Sequence, residues 1–74
     1  MKNIHTIYNS DRRMWENKKE GVEKPLSSHH TKDNALDKGE KVAEKNHVEH
    51  FIHCKDGKIQ GRNSYGHDPF PPRG

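Results

Sequence analysis

The chain has 74 residues and a formal net charge of +3, from 14 basic and 11 acidic side chains, and this length leaves room for one small domain. Its single cysteine excludes an intramolecular disulfide, and we find no apolar run of the length expected for a signal peptide or a membrane span. Only 11 of the 74 residues are Leu, Ile, Val or Phe, so we expect a thin core that a partner or a second copy helps to stabilise. We predict one domain over residues 1–74, ending in a proline-rich tail at 66–74, and a cytoplasmic location.

Three strands are predicted before the first helical pattern. The first alternates, with Ile4 and Thr6 on one face and His5 and Ile7 on the other. The second begins at Met14 and fades from residue 17 onward, and a proline before the third suits an edge strand or a strand start. The three predicted strands cover residues 2–9, 14–20 and 26–30.

One helix is predicted over residues 32–46. Thr31 is the expected N-cap, and Asp33 places a negative charge in the first turn, where the helix dipole favours it. The apolar stripe is narrow and consists of Ala35, Leu36, Gly39, Val42 and Ala43. These small residues predict close packing of the helix on a sheet, which would offset the helix-breaking tendency of Gly39.

A β-hairpin is predicted around Asp56-Gly57. Asp-Gly between alternating residues favours a type I′ turn, with positive φ at both central positions. In that register Ile52 lies opposite Gly61, and Cys54 lies opposite Ile59. The residues assigned to the core face are Val48, Ile52, Cys54 and Ile59.

These elements predict an α+β fold: a small antiparallel β-sheet, of order β-β-(β)-α-β-β, with one helix packed on one face. The short strands near Leu26 and Ile59 are the expected sheet edges. Two copies of the chain can pair at such edges across a two-fold axis, so self-association is predicted.

Three segments resemble a family of short bacterial proteins known as domain of unknown function 2188. They are residues 27–31 (SSHHT), residues 52–59 (IHCKDGKI) and residues 63–74 (NSYGHDPFPPRG). Asn63 and His67 depart from the usual ending of that family, and Asn17 stands where an apolar residue is usual, which implies a shorter second strand. The resemblance implies the fold and a bacterial or phage origin, but no activity.

The histidines do not form a metal-binding pattern. His47, His50 and His53 are spaced by three, but on a strand His47 and His53 point to one face and His50 to the other. Paired Cys and His elements typical of zinc sites are missing. Cys54 lies on the predicted core face, where a thiol is inert. We therefore predict no metal, no cofactor and no enzymatic activity.

A nucleic-acid site is the alternative interpretation. Two basic pairs flank an aromatic residue that could stack on a base, and the candidate residues are Arg12, Arg13, Trp15, Lys18 and Lys19. The basic excess is nevertheless spread along the chain, although the sequence pI is about 9.1. A buried Trp15 with solvated charges around it explains the same pattern.

The leading hypothesis is a non-enzymatic binding module for an unidentified protein or for a second copy of the chain. Its candidate surface is the uncovered sheet face, with Phe51, His47 and His53. A second candidate is the tail, with Tyr65, Phe70 and Arg73, held extended by prolines. The tail either docks on its own domain or is read by a partner, and we favour docking of Tyr65 and Phe70.

Overall fold

The computed structural model describes residues 2–65, which form a five-stranded sheet with one helix on one face. The elements are β1 (Ile4–Asn9), β2 (Met14–Lys19), β3 (Ser27–His29), α1 (Lys32–Asn46), β4 (Glu49–His53) and β5 (Ile59–Ser64). The predicted α+β class is confirmed. The described part of the chain has no helix with the length and apolar character needed to cross a membrane.

The sheet is mixed, and the prediction of a purely antiparallel sheet was wrong. Its strand order is β3-β2-β1-β4-β5, and β1 pairs with β4 in parallel while all other pairs are antiparallel. The reason is that α1 carries the chain back along the sheet after β3, so β4 starts at the same end as β1. The predicted edge positions of the third and fifth strands are confirmed.

The helix has the predicted bounds, and local capping sets both ends. The Thr31 side chain accepts a hydrogen bond from the backbone N–H of Asn34 at 3.2 Å. At the other end His47 adopts the left-handed conformation, with φ of 55°, and the N–H of Val48 bonds to the carbonyl of Ala43 at 3.0 Å. His47 therefore ends the helix and does not belong to a strand.

The hairpin between β4 and β5 differs from the prediction by one residue. Ile52 lies opposite Gly61 as predicted, but a bulge then places His53, and not Cys54, opposite Ile59. Gly57 has φ of 92° while Asp56 does not have a positive φ, so the turn is a three-residue loop and not type I′. A one-residue slip reverses the face of the residues beyond it. Ile59 is consequently 60% exposed, which corrects its assignment to the core.

The apolar core between helix and sheet is small. Its buried cluster consists of Ile4, Ala43 and Val48, with Val42 and Tyr65 packed against it. Trp15 is also buried, against Tyr8 and beneath the ammonium of Lys32.

Polar side chains fill the centre of the same layer. Thr6, Asn17 and His50 are all fully or almost fully buried. Asn17 lies in the middle of a complete six-residue β2, so the expectation that this strand fades at residue 17 was wrong. The buried side-chain amide of Asn17 donates hydrogen bonds to Ser27 and to the carbonyl of Ala35. These bonds satisfy its polar atoms, so the strand stays in the sheet without an apolar residue at this position.

Gly39 allows the helix to lie directly on these polar groups. A Cβ atom at this position would lie 2.7 Å from both Asn17 Oδ1 and His50 Nε2, closer than van der Waals contact allows. The absence of a side chain at Gly39 is therefore what permits the close approach that the stripe of small residues predicted.

Candidate protein-binding face

The sheet has a second face that no other element covers within residues 2–65. Strand alternation brings His5 and Ile7 from β1 and Phe51 and His53 from β4 to this side, which we call the open face. The parallel pairing of β1 with β4 sets His5 beside Phe51.

An aromatic cluster occupies the middle of the open face. The rings of His5 and Phe51 are stacked, with centroids 4.9 Å apart and planes 15° from parallel. The His53 ring lies 5.2 Å from that of His5, and Nδ1 of His5 is 3.0 Å from Nε2 of His53. Phe51, His5 and His53 are only partly buried, so the cluster is both ordered by its contacts and accessible from solvent.

Polar contacts connect this cluster to its surroundings. Nε2 of His5 is 3.2 Å from Oε1 of Glu20, and Nδ1 of His53 is 3.3 Å from the carbonyl oxygen of Gly57. Both oxygens only accept, so the imidazole ring is the donor in each of these two contacts. A chain of contacts therefore runs from the Glu20 carboxylate through His5 to His53.

A shallow cleft of about 230 Å³ adjoins the cluster. His5 and His53 form one side of it, and Ile7, Lys18 and Val22 contribute to the remainder. Val22 is 41% exposed. The open face therefore combines accessible apolar surface, a flat aromatic stack and charges of both signs, which is the composition of a protein interface.

The structure separates the residues predicted for this surface. Phe51 and His53 lie on the open face as predicted, while His47 is exposed at the end of the helix and does not share it. His5 was not among the candidates. Strand alternation places His5 on the face opposite Ile4. Its position beside Phe51 depends on the pairing of β1 with β4, a nonlocal contact that the sequence pattern does not reveal.

The residues of the nucleic-acid alternative do not converge on one surface. Trp15 is only 6% exposed and packs on the helix side of the sheet, so it is not available to stack on a base. Arg12 and Arg13 are exposed in the turn after β1. Lys18 and Lys19 are neighbours on β2 and so point to opposite faces.

Tyr65, the last residue that the structure describes, contacts the rest of the domain. The hydroxyl of Tyr65 donates to Oε2 of Glu40 at 3.1 Å, and its backbone N–H bonds to the carbonyl of Val48 at 3.3 Å. Partial burial and the bonded carboxylate raise the pKa of Tyr65 above its ordinary value. Phe70 and Arg73 lie outside the described residues.

No group of three or more His, Cys, Asp or Glu side chains is placed to hold a metal ion within the described part of the chain. Cys54, the one cysteine of the sequence, is half-buried where β4 leads into the turn.

Comparison with known proteins gives a family. A family described as "Uncharacterized protein conserved in bacteria (DUF2188)" matches residues 4–65, which include all five strands and the helix. Comparison with curated proteins and with solved structures gives no significant match.

Proposed function

Since the chain belongs to the uncharacterised bacterial family DUF2188, we propose a function from the geometry of its surface: it is a non-enzymatic module that binds another protein through the open face. The observation that carries this proposal is the stack of His5 on Phe51, 4.9 Å apart, on a sheet face without a covering element in residues 2–65. We place this binding in the cytoplasm, in keeping with the single cysteine.

The chemistry of the face indicates the kind of partner. Phe51 and Val22 offer apolar contact, and Lys18, which lies beside His5 and lines the adjoining cleft, offers a positive charge. A protein segment with an apolar side chain next to a carboxylate is complementary to this arrangement. The surface is small, so we expect a transient complex.

Three tagged proteins test the proposal: wild type, Phe51→Ala and Lys38→Ala. Lys38 is exposed on the helix, on the other side of the sheet, and provides a matched surface control. Proteins that co-purify from bacterial cells are quantified by mass spectrometry. We expect partners retained by wild type and Lys38→Ala to be lost with Phe51→Ala; equal retention by all three would contradict a role for the open face.

Self-association is tested by sedimentation of the same three proteins over a range of concentrations. A dimer that Phe51→Ala alone abolishes would identify a second copy as the partner. A gel-shift assay with DNA and RNA over a salt series tests the nucleic-acid alternative. Binding at low salt that weakens steeply as the salt concentration rises would favour nucleic-acid binding over protein binding.

A further inference from the structure

Strand β5 forms one edge of the sheet, and no strand among residues 2–65 pairs with its outer side. It is six residues long, whereas β3 at the other edge has three. All residues of β5 except Gly61 are exposed, and none is a proline. An exposed edge of this length is a template for pairing with another strand.

The ladder with β4 fixes which backbone groups of β5 point outward. The N–H of Tyr65 bonds to the carbonyl of Val48 at 3.3 Å, one step beyond the pair of Ser64 with Glu49. In an antiparallel ladder such hydrogen-bonded pairs alternate with pairs whose N–H and C=O groups point away from each other. The N–H and C=O groups of Arg62 and Ser64 therefore point outward, away from β4.

A second copy of the chain can satisfy all four of these groups. When a two-fold axis relates two identical antiparallel strands, facing residues must lie on the same side of the sheet, so one residue on the axis faces its own copy. With Asn63 on the axis, Arg62 faces Ser64 of the second copy, and Ser64 faces Arg62 of the second copy. Each of these two pairs exchanges two backbone hydrogen bonds, so four bonds use every outward group of both residues.

The other registers are less favourable. With Arg62 on the axis, two guanidinium side chains would face each other directly, and like charges in this position destabilise a strand pair. Gly61 on the axis would place Arg62 opposite Gln60, where the bulge interrupts the ladder. Ser64 on the axis would place Arg62 opposite a residue beyond the end of β5. The strand therefore favours the register with Asn63 on the axis.

This register is also complementary in charge. Glu49 lies opposite Ser64 within one copy, so Glu49, Ser64 and Arg62 of the second copy form one row across the open face. Two strand spacings, about 10 Å, separate the backbones of Glu49 and that arginine, and their long side chains can meet above the small Ser64. Within one copy Nε of Arg62 is already 3.8 Å from Oε1 of Glu49. Each Glu49 carboxylate therefore has two guanidinium groups within reach, one from each copy.

The helix leaves room for this pairing. It packs against β1, β2, β3 and β4, and β5 extends beyond it. In the paired sheet, β1 of one copy lies five strand spacings, about 24 Å, from β1 of the other, which exceeds the 10–12 Å diameter of a helix. Both helices then lie on one side of the sheet and both open faces on the other.

We propose that β5 is a homodimer interface, at which two copies pair around Asn63 through the backbones of Arg62 and Ser64 to form one sheet of ten strands. The contact is small, so we expect a weak dimer. It does not depend on the proposed function, because it uses the sheet edge and not the stack of His5 on Phe51. The dimer places two open faces side by side.

Charge exchange across the edge tests the proposal by sedimentation over a range of concentrations. Glu49→Lys and Arg62→Glu each place like charges at both contacts between the copies, whereas a 1:1 mixture of the two variants restores opposite charges at both. We expect each variant alone to dimerise at least about tenfold more weakly than wild type, and the mixture to recover the wild-type affinity within about threefold. Glu44→Lys and Arg12→Glu, at exposed positions on the helix and in the turn after β1, make the same charge changes and should dimerise as wild type does.

Thermal unfolding verifies that every variant is folded. A wild type that stays monomeric over the whole concentration range would overturn the proposal, and so would a mixture that dimerises no better than its two components. A dimer lost in Phe51→Ala but retained in Glu49→Lys and in Arg62→Glu would assign self-association to the open face, and would equally overturn the assignment to β5.

Discussion

Histidines occupy both faces of the sheet, and the two faces use them in opposite ways. On the helix side His50 is buried, and its Nε2 lies 2.6 Å from the hydroxyl of Thr6. On the open face His5 and His53 are partly exposed and contact each other, the Glu20 carboxylate and the Gly57 carbonyl. The same side chain thus supports packing where water is excluded and polar surface contacts where water is present.

The comparison also separates stability from function. On the helix side the buried side chains of Thr6, Asn17 and His50 form hydrogen bonds within the domain, and only Nδ1 of His50 has no partner among the described residues. The open face keeps its rings at the surface and contributes little to the buried core. We therefore expect substitutions beneath the helix to change the free energy of unfolding most, and substitutions on the open face to change binding.

The largest expected effect is that of Gly39→Ala. The added Cβ would lie 2.7 Å from Asn17 Oδ1 and His50 Nε2, forcing apart the helix and the network below it. We expect a loss of about 2–3 kcal/mol in the free energy of unfolding, typical of overpacking, despite a gain of about 1 kcal/mol in helix propensity. Denaturant unfolding measures the change.

The control for Gly39→Ala is Lys38→Gly, at an exposed position one residue earlier. It should lose about 1 kcal/mol through helix propensity alone. If Gly39→Ala were more stable than wild type, the close contact of the helix with Asn17 and His50 would not limit this position.

The second prediction is destabilisation by acid through His50. Burial lowers the pKa of His50 below its ordinary 6.5, an effect that the Glu40 charge opposes and the His5 charge reinforces. Below pH 6.5 the unfolded chain therefore binds the proton more readily than the folded chain does. The free energy of unfolding should fall as the pH drops from about 6.5 through the folded pKa of His50.

Denaturant unfolding at several values between pH 7.5 and 5 measures this slope, and NMR titration of the His50 ring measures its pKa directly. His30→Gln is the matched control, because His30 is exposed and should leave the slope unchanged. A His50 ring that titrates at or above 6.5 would contradict the burial argument.

Local signals in the sequence were sufficient for part of this fold. Thr31 and the stripe of small residues predict the helix with its observed bounds, and Asp56-Gly57 predicts a hairpin at the observed place. These features depend on residues close in sequence, where capping and turn chemistry act. The turn type was wrong, and with it the register beyond Ile52, because Asp-Gly also fits a three-residue loop with its glycine in the left-handed region.

The pairing of β1 with β4 was beyond local reasoning, and the candidate site depends on it. The contact of His5 with Phe51 joins residues 46 positions apart. Burial of His50 had a usable signal, since it alternates with Val48 and Ile52 on the face assigned to the core. What the sequence could not reveal is that the Thr6 hydroxyl would lie 2.6 Å from Nε2 of His50 while it donates to Asn17.

The third prediction concerns Phe51→Ala on the open face. Phe51 is only partly buried, so removing its ring should cost about 1 kcal/mol or less, mainly from the lost stacking on His5. This loss is smaller than that expected for Gly39→Ala, while binding of the partner should be abolished. Thermal unfolding together with the co-purification measurement distinguishes the two effects; a loss of several kcal/mol would make Phe51 a core residue and not a binding residue.

The smallest expected effect is that of Glu20→Gln, which removes the charge beside the histidine pair. Glu20 is 51% exposed at its side chain and its contact with His5 is 3.2 Å, so we expect a change within about 0.5 kcal/mol in the free energy of unfolding. The informative readout is the His5 ring, followed by NMR of both rings at one pH. Removing the carboxylate charge should shift the ring nitrogen resonances of His5 most and those of His53 less, because Glu20 contacts His5 directly and His53 only through His5. Glu23→Gln, an exposed acidic residue nearby in sequence, removes the same charge and should leave both rings unaffected. Identical ring resonances in wild type and Glu20→Gln would contradict the chain of contacts from Glu20 through His5 to His53.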